Sequence, residues 1–186
     1  MRKIVLASQS PRRKQLMELA ELQFEIIIAD VDETNPPGMP GHEVPEFLAK
    51  KKAAAIEARV HDAVIIAADT IVLLDDEILG KPKDHADAVK ILTKLAGRVH
   101  KVVTGVCMQK GDKQVSFSVT TDVHFRPLTG DQIAHYVINY RPFDKAGAYA
   151  IQEWIGTVGI EKIDGDYYSV MGLPIGEVVK QLDQFH

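Results

Sequence analysis

The chain has 186 residues, of which 46% are hydrophobic and 26% charged, with a formal net charge of −4 at pH 7. This composition is ordinary for a soluble globular enzyme. The negative net charge disfavours a general nucleic-acid-binding surface. The single cysteine, Cys107, leaves no internal disulfide and fits a reducing compartment. No apolar stretch approaches the roughly 20 residues of a membrane span, and the apolar run at 4–7 is too short for a signal peptide, so we expect a cytoplasmic protein without membrane association.

Strand and helix patterns alternate in the first half of the chain. Ser10 is a good helix N-cap and Pro11 suits the first helical position, so a helix is predicted directly after a short buried strand at 4–7. Apolar periodicity and turn residues then predict a strand at 24–29, a loop at 35–41, a helix from 45 to about 60, a buried strand at 63–68 and a hairpin at 71–79.

The second half continues in the same way. Asp84 is predicted to cap a helix that ends at Gly97. The remaining predicted elements are strands at 101–109 and 115–125, a helix from 130 to about 139, a strand near 158–163 and a helix at 175–182. Because no linker separates independent parts of the chain, we predict one α/β domain over residues 1–186 with a mixed sheet. The sequence leaves open whether this domain has two lobes around a cleft.

The first turn of the first predicted helix is unusually basic. Arg12, Arg13 and Lys14 lie where the helix dipole disfavours cations by a few tenths of a kcal/mol each. Either water screens these charges, or they serve a bound anion together with the free N–H groups of the helix start and the hydroxyls of Ser8 and Ser10. The residues alone leave both interpretations open.

Two further basic segments have the same ambiguity. Lys81 lies between Gly80 and Pro82, which restrict the backbone and could aim the lysine, although a plain surface turn has the same composition. The run at 50–52 consists of three lysines on a predicted helix, where successive residues are about 100° apart. At most one or two of these lysines can therefore face a ligand.

Carboxylates follow two of the predicted strands. Asp69 comes directly after the apolar strand at 63–68, where an aspartate is costly unless it is paired, hydrated or bound to metal. Strand ends of this kind hold catalytic groups in α/β folds. Asp30, Asp32 and Glu33 form a second acidic patch, and carboxylates next to a polyphosphate are natural Mg²⁺ ligands. A turn at Asp69 and a solvated acidic loop are the plainer alternatives.

Several familiar catalytic patterns are missing from the sequence. It contains no phosphate-binding loop of the Gly-x-x-x-x-Gly-Lys-Ser/Thr type, no dinucleotide-binding Gly-x-Gly-x-x-Gly, no Gly-x-Ser-x-Gly and no His-Glu-x-x-His. Cys107 lies in a strand-like run and is interpreted as a buried, inert thiol. Ser8 and Ser10 have no identifiable histidine partner for nucleophilic catalysis. Attack by a water molecule that a metal ion helps to activate is the simplest mechanism that remains.

Eight short motifs, taken in order, resemble the Maf family of nucleotide pyrophosphatases. They extend over nearly the whole chain, and their occurrence in register is far more specific than any one of them. The motifs are LASQSPRR (6–13), DE (32–33), KA (52–53), ADT (68–70), GKP (80–82), TGV (104–106), DKAGAYAIQ (144–152) and GDYYSVMGLP (165–174).

The resemblance implies a fold, a reaction and a set of site residues. The implied fold is an elongated mixed sheet flanked by helices, with two lobes around a central cleft, usually in a homodimer. The implied reaction is hydrolysis between the α and β phosphates with Mg²⁺ or Mn²⁺. By position in the motifs, Asp69 is the proton acceptor, Glu33 is a metal-associated carboxylate, and Glu33 and Asp69 are the residues expected to hold the metal. The phosphate-binding positions are Ser8, Arg13, Lys52 and Lys81, and the positions associated with base choice are Arg12, Thr70 and Gln152.

We therefore expect a pyrophosphatase that hydrolyses dTTP and UTP, with CTP, purine or modified nucleotides as alternative substrates. A glutamine at 152 can both donate and accept hydrogen bonds, which suits the O4/N3 edge of uracil or thymine. The rival hypothesis is a nucleotide- or nucleic-acid-binding regulator of cell division without essential catalysis. An extended basic face with stacking aromatic residues would favour the rival, but the net charge is negative and only 6% of the residues are aromatic.

Overall fold

A computed structural model describes residues 3–185, in which short and long strands alternate with helices. The strands are β1 (Ile4–Leu6), β2 (Glu25–Ile26), β3 (Val64–Leu74), β4 (Glu77–Leu79), β5 (Val99–Lys110), β6 (Lys113–Phe125) and β7 (Ile160–Asp164). The helices are α1 (Pro11–Leu19), α2 (Val44–Glu57), α3 (His85–Leu95), α4 (Gly130–Tyr140), α5 (Trp154–Gly159), α6 (Tyr167–Met171) and α7 (Ile175–Leu182), with 3₁₀ turns at Gly41–Glu43 and Ala146–Ala148.

The strands form one mixed sheet, which confirms the predicted α/β architecture with flanking helices. Their order is β2-β1-β3-β5-β6-β7, and β4 pairs with β3. Strand β1 is parallel to both β2 and β3, whereas β4 is antiparallel to β3 and β7 is antiparallel to β6. None of the helices in the described part of the chain has the length and apolarity needed to span a bilayer.

The chain divides into two compact units, each built from segments that are separate in sequence. The first unit contains residues 3–70, Thr104–Val119 and 172–185, and the second contains Ile71–Val103 and Thr120–Met171. Each of the long strands β3, β5 and β6 contributes residues to both units. A single domain over 1–186 stays a prediction.

In the first unit, small side chains let α2 approach the sheet closely. Buried alanines of α2, Ala49 and Ala53, pack with Val5 of β1, Ala67 of β3 and Cys107 of β5 in one apolar cluster. Burial raises the pKa of the Cys107 thiol to about 12, so this residue is the buried, unreactive thiol that the sequence predicted.

Local capping signals were reliable guides to the helix starts. The Ser10 hydroxyl accepts a hydrogen bond from the Arg13 amide at 3.4 Å, and Pro11 is the first residue of α1. The Asp84 carboxylate accepts from the Asp87 amide at 2.8 Å at the start of α3. Both N-caps confirm the predictions made from residue type.

The predicted strand boundaries needed three corrections. The strand expected at 24–29 is reduced to β2, and the strand expected near 158–163 begins at Ile160 because residues 154–159 form α5. The prediction that the central strand ends before Asp69 is wrong, since β3 continues to Leu74. Thr70, Ile71 and Val72 are β-branched, and β-branched residues favour the extended conformation.

In the second unit, the core contains a buried histidine. His100 packs edge-on against Phe125 and Tyr149, with ring centroids 5.0 and 5.4 Å away. Its Nε2 shares a hydrogen bond of 2.6 Å with the Tyr149 hydroxyl, whereas its Nδ1 is buried without a partner among the described residues. Burial, opposed by Asp122 and assisted by His124, lowers the pKa of His100 from 6.5 to about 4. The folded protein therefore holds this ring neutral at pH 7.

This histidine predicts a loss of stability in mild acid. Below pH 6.5 the unfolded chain protonates His100 while the folded chain does not, so the free energy of unfolding falls by about 1.4 kcal/mol per pH unit until pH reaches about 4. The matched control is His100→Phe/Tyr149→Phe, which removes the histidine without leaving the tyrosine hydroxyl unpaired. Urea denaturation at pH 7 and pH 5 should show a loss for the double variant that is about 2 kcal/mol smaller than for the wild type. Equal losses would contradict the assignment.

Candidate active site

The loop between β1 and α1 places two serines before the first helical turn. Ser8 is buried, and its hydroxyl accepts a hydrogen bond from the Ser10 amide at 3.2 Å. The Ser8 oxygen also accepts from Nη1 of Arg13 at 3.3 Å. A hydroxyl has one proton and two acceptor positions. Since both acceptor positions of Ser8 are occupied, its hydroxyl can still donate a hydrogen bond to an anion.

Arg13 is held by three separate segments of the first unit. Its Nε donates to the Gly172 carbonyl at 2.7 Å, Nη1 donates to Ser8, and Nη2 donates to the Thr70 hydroxyl at 3.1 Å. These bonds use three of the five N–H groups of the guanidinium and fix its plane. The fold thus orients Arg13, one of the three basic residues in the first turn of α1.

The electrostatic surroundings of Arg13 favour a bound anion. Burial lowers the pKa of the Arg13 guanidinium, and the neighbouring charge of Arg12 lowers it further, whereas Asp69 and Glu33 raise it. An arginine in this position keeps its charge. A phosphate at the guanidinium would replace the solvation that burial removes.

The second cation of the site is Lys52 of α2. Its ammonium donates to Oδ1 of Asp69 at 2.7 Å and forms an ion pair with Oε1 of Glu33 at 2.9 Å. The side chains of Lys52 and Asp69 are only 10% and 14% exposed, whereas that of Glu33 is 56% exposed. Lys50 instead pairs with Glu46 on the helix surface at 2.8 Å.

Lys51 also lies outside the group of Lys52, Asp69 and Glu33, since its ammonium contacts the Asp32 carbonyl. Helical periodicity thus separates the three consecutive lysines, and only Lys52 is buried. The structure agrees with the prediction that at most one or two of them could serve a site.

Consecutive residues of β3 engage two different helices. Asp69 bonds to Lys52 of α2, whereas Thr70 bonds to Arg13 of α1. Alternation of side chains along a strand explains why neighbours can do this. The structure therefore places six of the nine predicted site residues in two bonded groups within the first unit: Ser8, Arg13 and Thr70 in one, and Lys52, Asp69 and Glu33 in the other.

Arg12 lies in the same first turn and is partly exposed. The other two predicted site residues belong to the second unit. Lys81 is exposed in the loop after β4, where the Gly80 carbonyl accepts from the Gly147 amide at 3.1 Å. Gln152 is exposed in the turn that precedes α5.

Buried polar groups hold the turn that carries Gln152. The Tyr136 hydroxyl accepts from the Ala150 amide at 3.1 Å and donates to the Glu153 carboxylate. Glu153 is also 3.7 Å from the ammonium of Lys145, a lysine whose side chain is only 10% exposed. The residues on either side of Ile151 and Gln152 are therefore fixed, Ala150 through its amide and Glu153 through its carboxylate.

Gln152 also borders a surface cavity of about 350 Å³ within the second unit. Its apolar wall includes Ile151, Ile160 and Ile163, and its polar residues include Thr157 and Tyr167. Apolar side chains with a few hydrogen-bonding groups are the usual lining of a small-ligand site, and this cavity also borders the charged residues Glu161 and Lys162.

The carboxylates near Lys52 can be compared with the ligands that the predicted metal ion requires. Among residues 3–185 no three or more His, Cys, Asp or Glu side chains are grouped so that they could hold a metal ion. However, Asp69 and Glu33 converge on one ammonium. Mg²⁺ is often held by one or two carboxylates together with substrate phosphates, so these two residues fit a metal that arrives with a polyphosphate.

Asp32, in the same acidic patch, has a local role instead. Its carboxylate accepts hydrogen bonds from the amide and hydroxyl of Thr34 at 3.1 and 2.6 Å. The hydrogen bond from the Thr34 side chain is the main reason that the pKa of Asp32 is lowered.

Comparison with known proteins decides the family. The family model described as Maf-like protein matches residues 3–185. The chain belongs to the Maf family.

Curated relatives of this Maf protein match it along nearly its full length. A dTTP/UTP pyrophosphatase from Bacteroides fragilis is 47% identical over 184 residues, covering 98% of this chain and 95% of the relative. Proteins of the same name from Cytophaga hutchinsonii and Parabacteroides distasonis are 47% and 44% identical, over 97% and 98% of this chain and 83% and 96% of their own lengths. A solved HAM1 protein from Coxiella burnetii shares the fold, with a TM-score of 0.56 and 15% identity over 99% of this chain and all of its own.

Sequence reasoning assigned no role to three Maf residues that build the site: Thr104, Gly105 and Gly172. The signals were present, since 104–105 and 172 lie inside motifs quoted above, but their tasks depend on distant contacts. Gly172 offers its carbonyl to Arg13 at a φ of +124°, a conformation that favours glycine. A Cβ at Gly105 would lie 2.1 Å from the Glu46 nitrogen and 2.3 Å from the Pro45 carbonyl carbon. Glycine at 105 therefore lets α2 lie directly on β5.

Gly105→Ala should destabilise the protein, because the added methyl must displace the backbone of α2. We expect the free energy of unfolding to fall by about 1–3 kcal/mol or more in urea denaturation. The matched control is Gly176→Ala in α7, where an added Cβ meets nothing within 4 Å. This control should be neutral or stabilise by up to about 1 kcal/mol. Wild-type stability of Gly105→Ala would contradict the close packing of α2 on β5.

Proposed function

We propose that this Maf protein is a nucleoside triphosphate pyrophosphatase that hydrolyses dTTP and UTP to the nucleoside monophosphate and pyrophosphate. The observation that carries the proposal is the buried pair of Lys52 and Asp69, adjacent in β3 to the Thr70 that holds Arg13. This arrangement combines fixed cations with a carboxylate, as phosphoanhydride hydrolysis requires. Relatives at 43–47% identity that are named dTTP/UTP pyrophosphatase support the reaction and the substrates.

The cations of the site neutralise the phosphates. Arg13 has N–H groups beyond those used by Gly172, Ser8 and Thr70, and a guanidinium binds phosphate oxygens bidentately. Lys52 contributes a point charge, and Lys81 is a further phosphate ligand by its position in the family motif. Neutralisation lowers the barrier to attack on a highly charged substrate.

Asp69 acts as the proton acceptor. Its Oδ1 is engaged by Lys52, so Oδ2 is the oxygen that we assign to the attacking water. The water oxygen adds to phosphorus, its proton passes to Asp69, and the P–O bond between the α and β phosphates breaks to release pyrophosphate. Lys52 keeps the carboxylate oriented throughout.

Glu33 and Asp69 would hold a divalent cation, Mg²⁺ or Mn²⁺, together with phosphate oxygens. When bound, it would supply Lewis-acid stabilisation of charge that develops on the phosphates. The exposed position of Glu33 leaves its carboxylate accessible to a cation that enters with the substrate.

Base choice depends on Arg12, Thr70 and Gln152 in this proposal. The Gln152 amide can donate to O4 and accept from N3–H of uracil or thymine, and the cavity that Gln152 borders offers apolar surface for a planar ring. A site built on such hydrogen bonds rejects the wrong base because its polar groups would remain unpaired. A cytoplasmic homodimer belongs to the same proposal.

Asp69→Asn should lower kcat by about 10²- to 10⁴-fold, because asparagine cannot accept the proton. The reaction is followed as pyrophosphate released from dTTP or UTP with Mg²⁺. Asp76→Asn, in the exposed turn between β3 and β4, is the matched control and should keep wild-type rates. A near-normal rate for a folded Asp69→Asn would remove Asp69 as the proton acceptor.

A panel of nucleoside triphosphates with Mg²⁺ or Mn²⁺ tests the function itself. We expect pyrophosphate and a monophosphate as products, with the highest kcat/KM for dTTP and UTP. Orthophosphate and a diphosphate would show that a different bond is cut. Nucleotide or nucleic-acid binding without turnover would instead favour the cell-division regulator.

Gln152→Ala should reduce discrimination between UTP and CTP. Loss of the amide removes hydrogen bonds to the base edge, so we expect the ratio of kcat/KM values to change by about tenfold. Gln114→Ala, in the hairpin of β5 and β6, is the control and should leave the ratio unchanged. An unaltered ratio in Gln152→Ala would exclude this side chain as the group that recognises the base.

A further inference from the structure

We infer that Glu33 is a specificity-determining residue whose carboxylate competes with phosphate for Lys52, so that the enzyme selects the metal complex of a polyphosphate over the metal-free anion; this inference depends on the proposed function. The ammonium of Lys52 is shared by two carboxylates, at 2.7 Å from Oδ1 of Asp69 and 2.9 Å from Oε1 of Glu33. The lysine that the proposed reaction needs for phosphate is thus already paired twice.

The two carboxylates differ in their access to solvent. Glu33 lies in the loop between β2 and the 3₁₀ turn at Gly41–Glu43, and its side chain is 56% exposed. The side chains of Lys52 and Asp69 are only 10% and 14% exposed. Glu33 is therefore the partner on the solvent side of the ammonium, where a phosphate from solution has to approach.

Charge makes Glu33 and a phosphate competitors at this position. An ammonium has three N–H groups and could bond to both, but two anions on one cation repel each other at short range. Burial lowers the pKa of the Arg13 guanidinium, whereas the charges of Asp69 and Glu33 raise it, so Glu33 acts on the second cation as well. Contacts of Glu33 with other groups do not change this, because its Oε1 still occupies Lys52.

Glu33 has the opposite effect on a phosphate that arrives with a divalent cation. Carboxylate and phosphate oxygens can bind one Mg²⁺ together, so the repulsion is replaced by a shared attraction. Exposed ion pairs contribute little to stability, and the Glu33 carboxylate can therefore leave Lys52 at small cost. Asp69 keeps its bond to Lys52, because it belongs to β3 and has little exposed surface.

The experiment measures the dissociation constant of inorganic pyrophosphate by calorimetry, once with EDTA and once with excess Mg²⁺. Glu33→Gln removes both the competing charge and a metal ligand. We expect this variant to bind metal-free pyrophosphate about fivefold more tightly than the wild type. With Mg²⁺ it should bind pyrophosphate about tenfold more weakly than the wild type. A merely structural role of Glu33 would not produce effects of opposite sign.

Asp32→Asn is the matched control, because it removes the same charge from the neighbouring residue. The Asp32 carboxylate bonds to Thr34 and lies 3.9 Å from the ammonium of Lys51. Asp32→Asn should change either dissociation constant less than about twofold. In the Lys52→Met background, Glu33→Gln should lose its gain in EDTA, since the competition requires the ammonium.

Three results would overturn the inference: a Glu33→Gln variant that binds metal-free pyrophosphate no more tightly than the wild type, an equal gain in Asp32→Asn, or a gain that persists without Lys52. If Lys52→Met does not fold in a thermal melt, Lys52→Gln replaces it, and the first two results decide without either variant. Failure of the proposed function is distinguishable, because the wild type would then release no pyrophosphate from any triphosphate with Mg²⁺ or Mn²⁺, whatever the binding constants are.

Discussion

The rest of the site depends on one ion pair with little exposed surface, between Lys52 and Asp69. Removing two charges from water is costly, and the cost is offset only when the partners are close and well aligned. A separation of 2.7 Å with little exposure on either side meets that condition. The ion pair also requires α2 to pack directly on the sheet. The alanines of α2 and Gly105 of β5 permit this because no large side chain lies between the helix and the strands.

The site contains two cations that the fold has already positioned. Lys52 is buried and Arg13 is half-buried, and each is oriented by protein acceptors. Burial lowers the pKa of Arg13 even though two carboxylates oppose the shift. A polyphosphate that binds here therefore supplies negative charge at a place where the fold has already fixed the cations, with little reorganisation left for the reaction step.

Local rules predicted the helix starts well and the strand ends poorly. Ser10 and Asp84 were recognisable as N-caps because a cap is decided by a few adjacent residues. Asp69 was misplaced at a strand end because an aspartate in an apolar run is typical of a terminus, whereas here Lys52 compensates its charge inside β3. The short helices α5 and α6 have only six and five residues, too few to show a helical period.

The sequence by itself determined the family, the mixed α/β class and the residue types of the site, because these follow from motifs in order and from local periodicity. It also showed that three consecutive helical lysines could not all serve one ligand. Only the tertiary structure decided that Lys52 is the buried one, that Arg13 is held by Gly172, and that the hydroxyls of Thr70 and Thr104 share a hydrogen bond. These contacts join residues 17, 159 and 34 positions apart. No local propensity specifies such pairs, since they form only when β1, β3 and β5 assemble and bring α1 and α2 against the sheet.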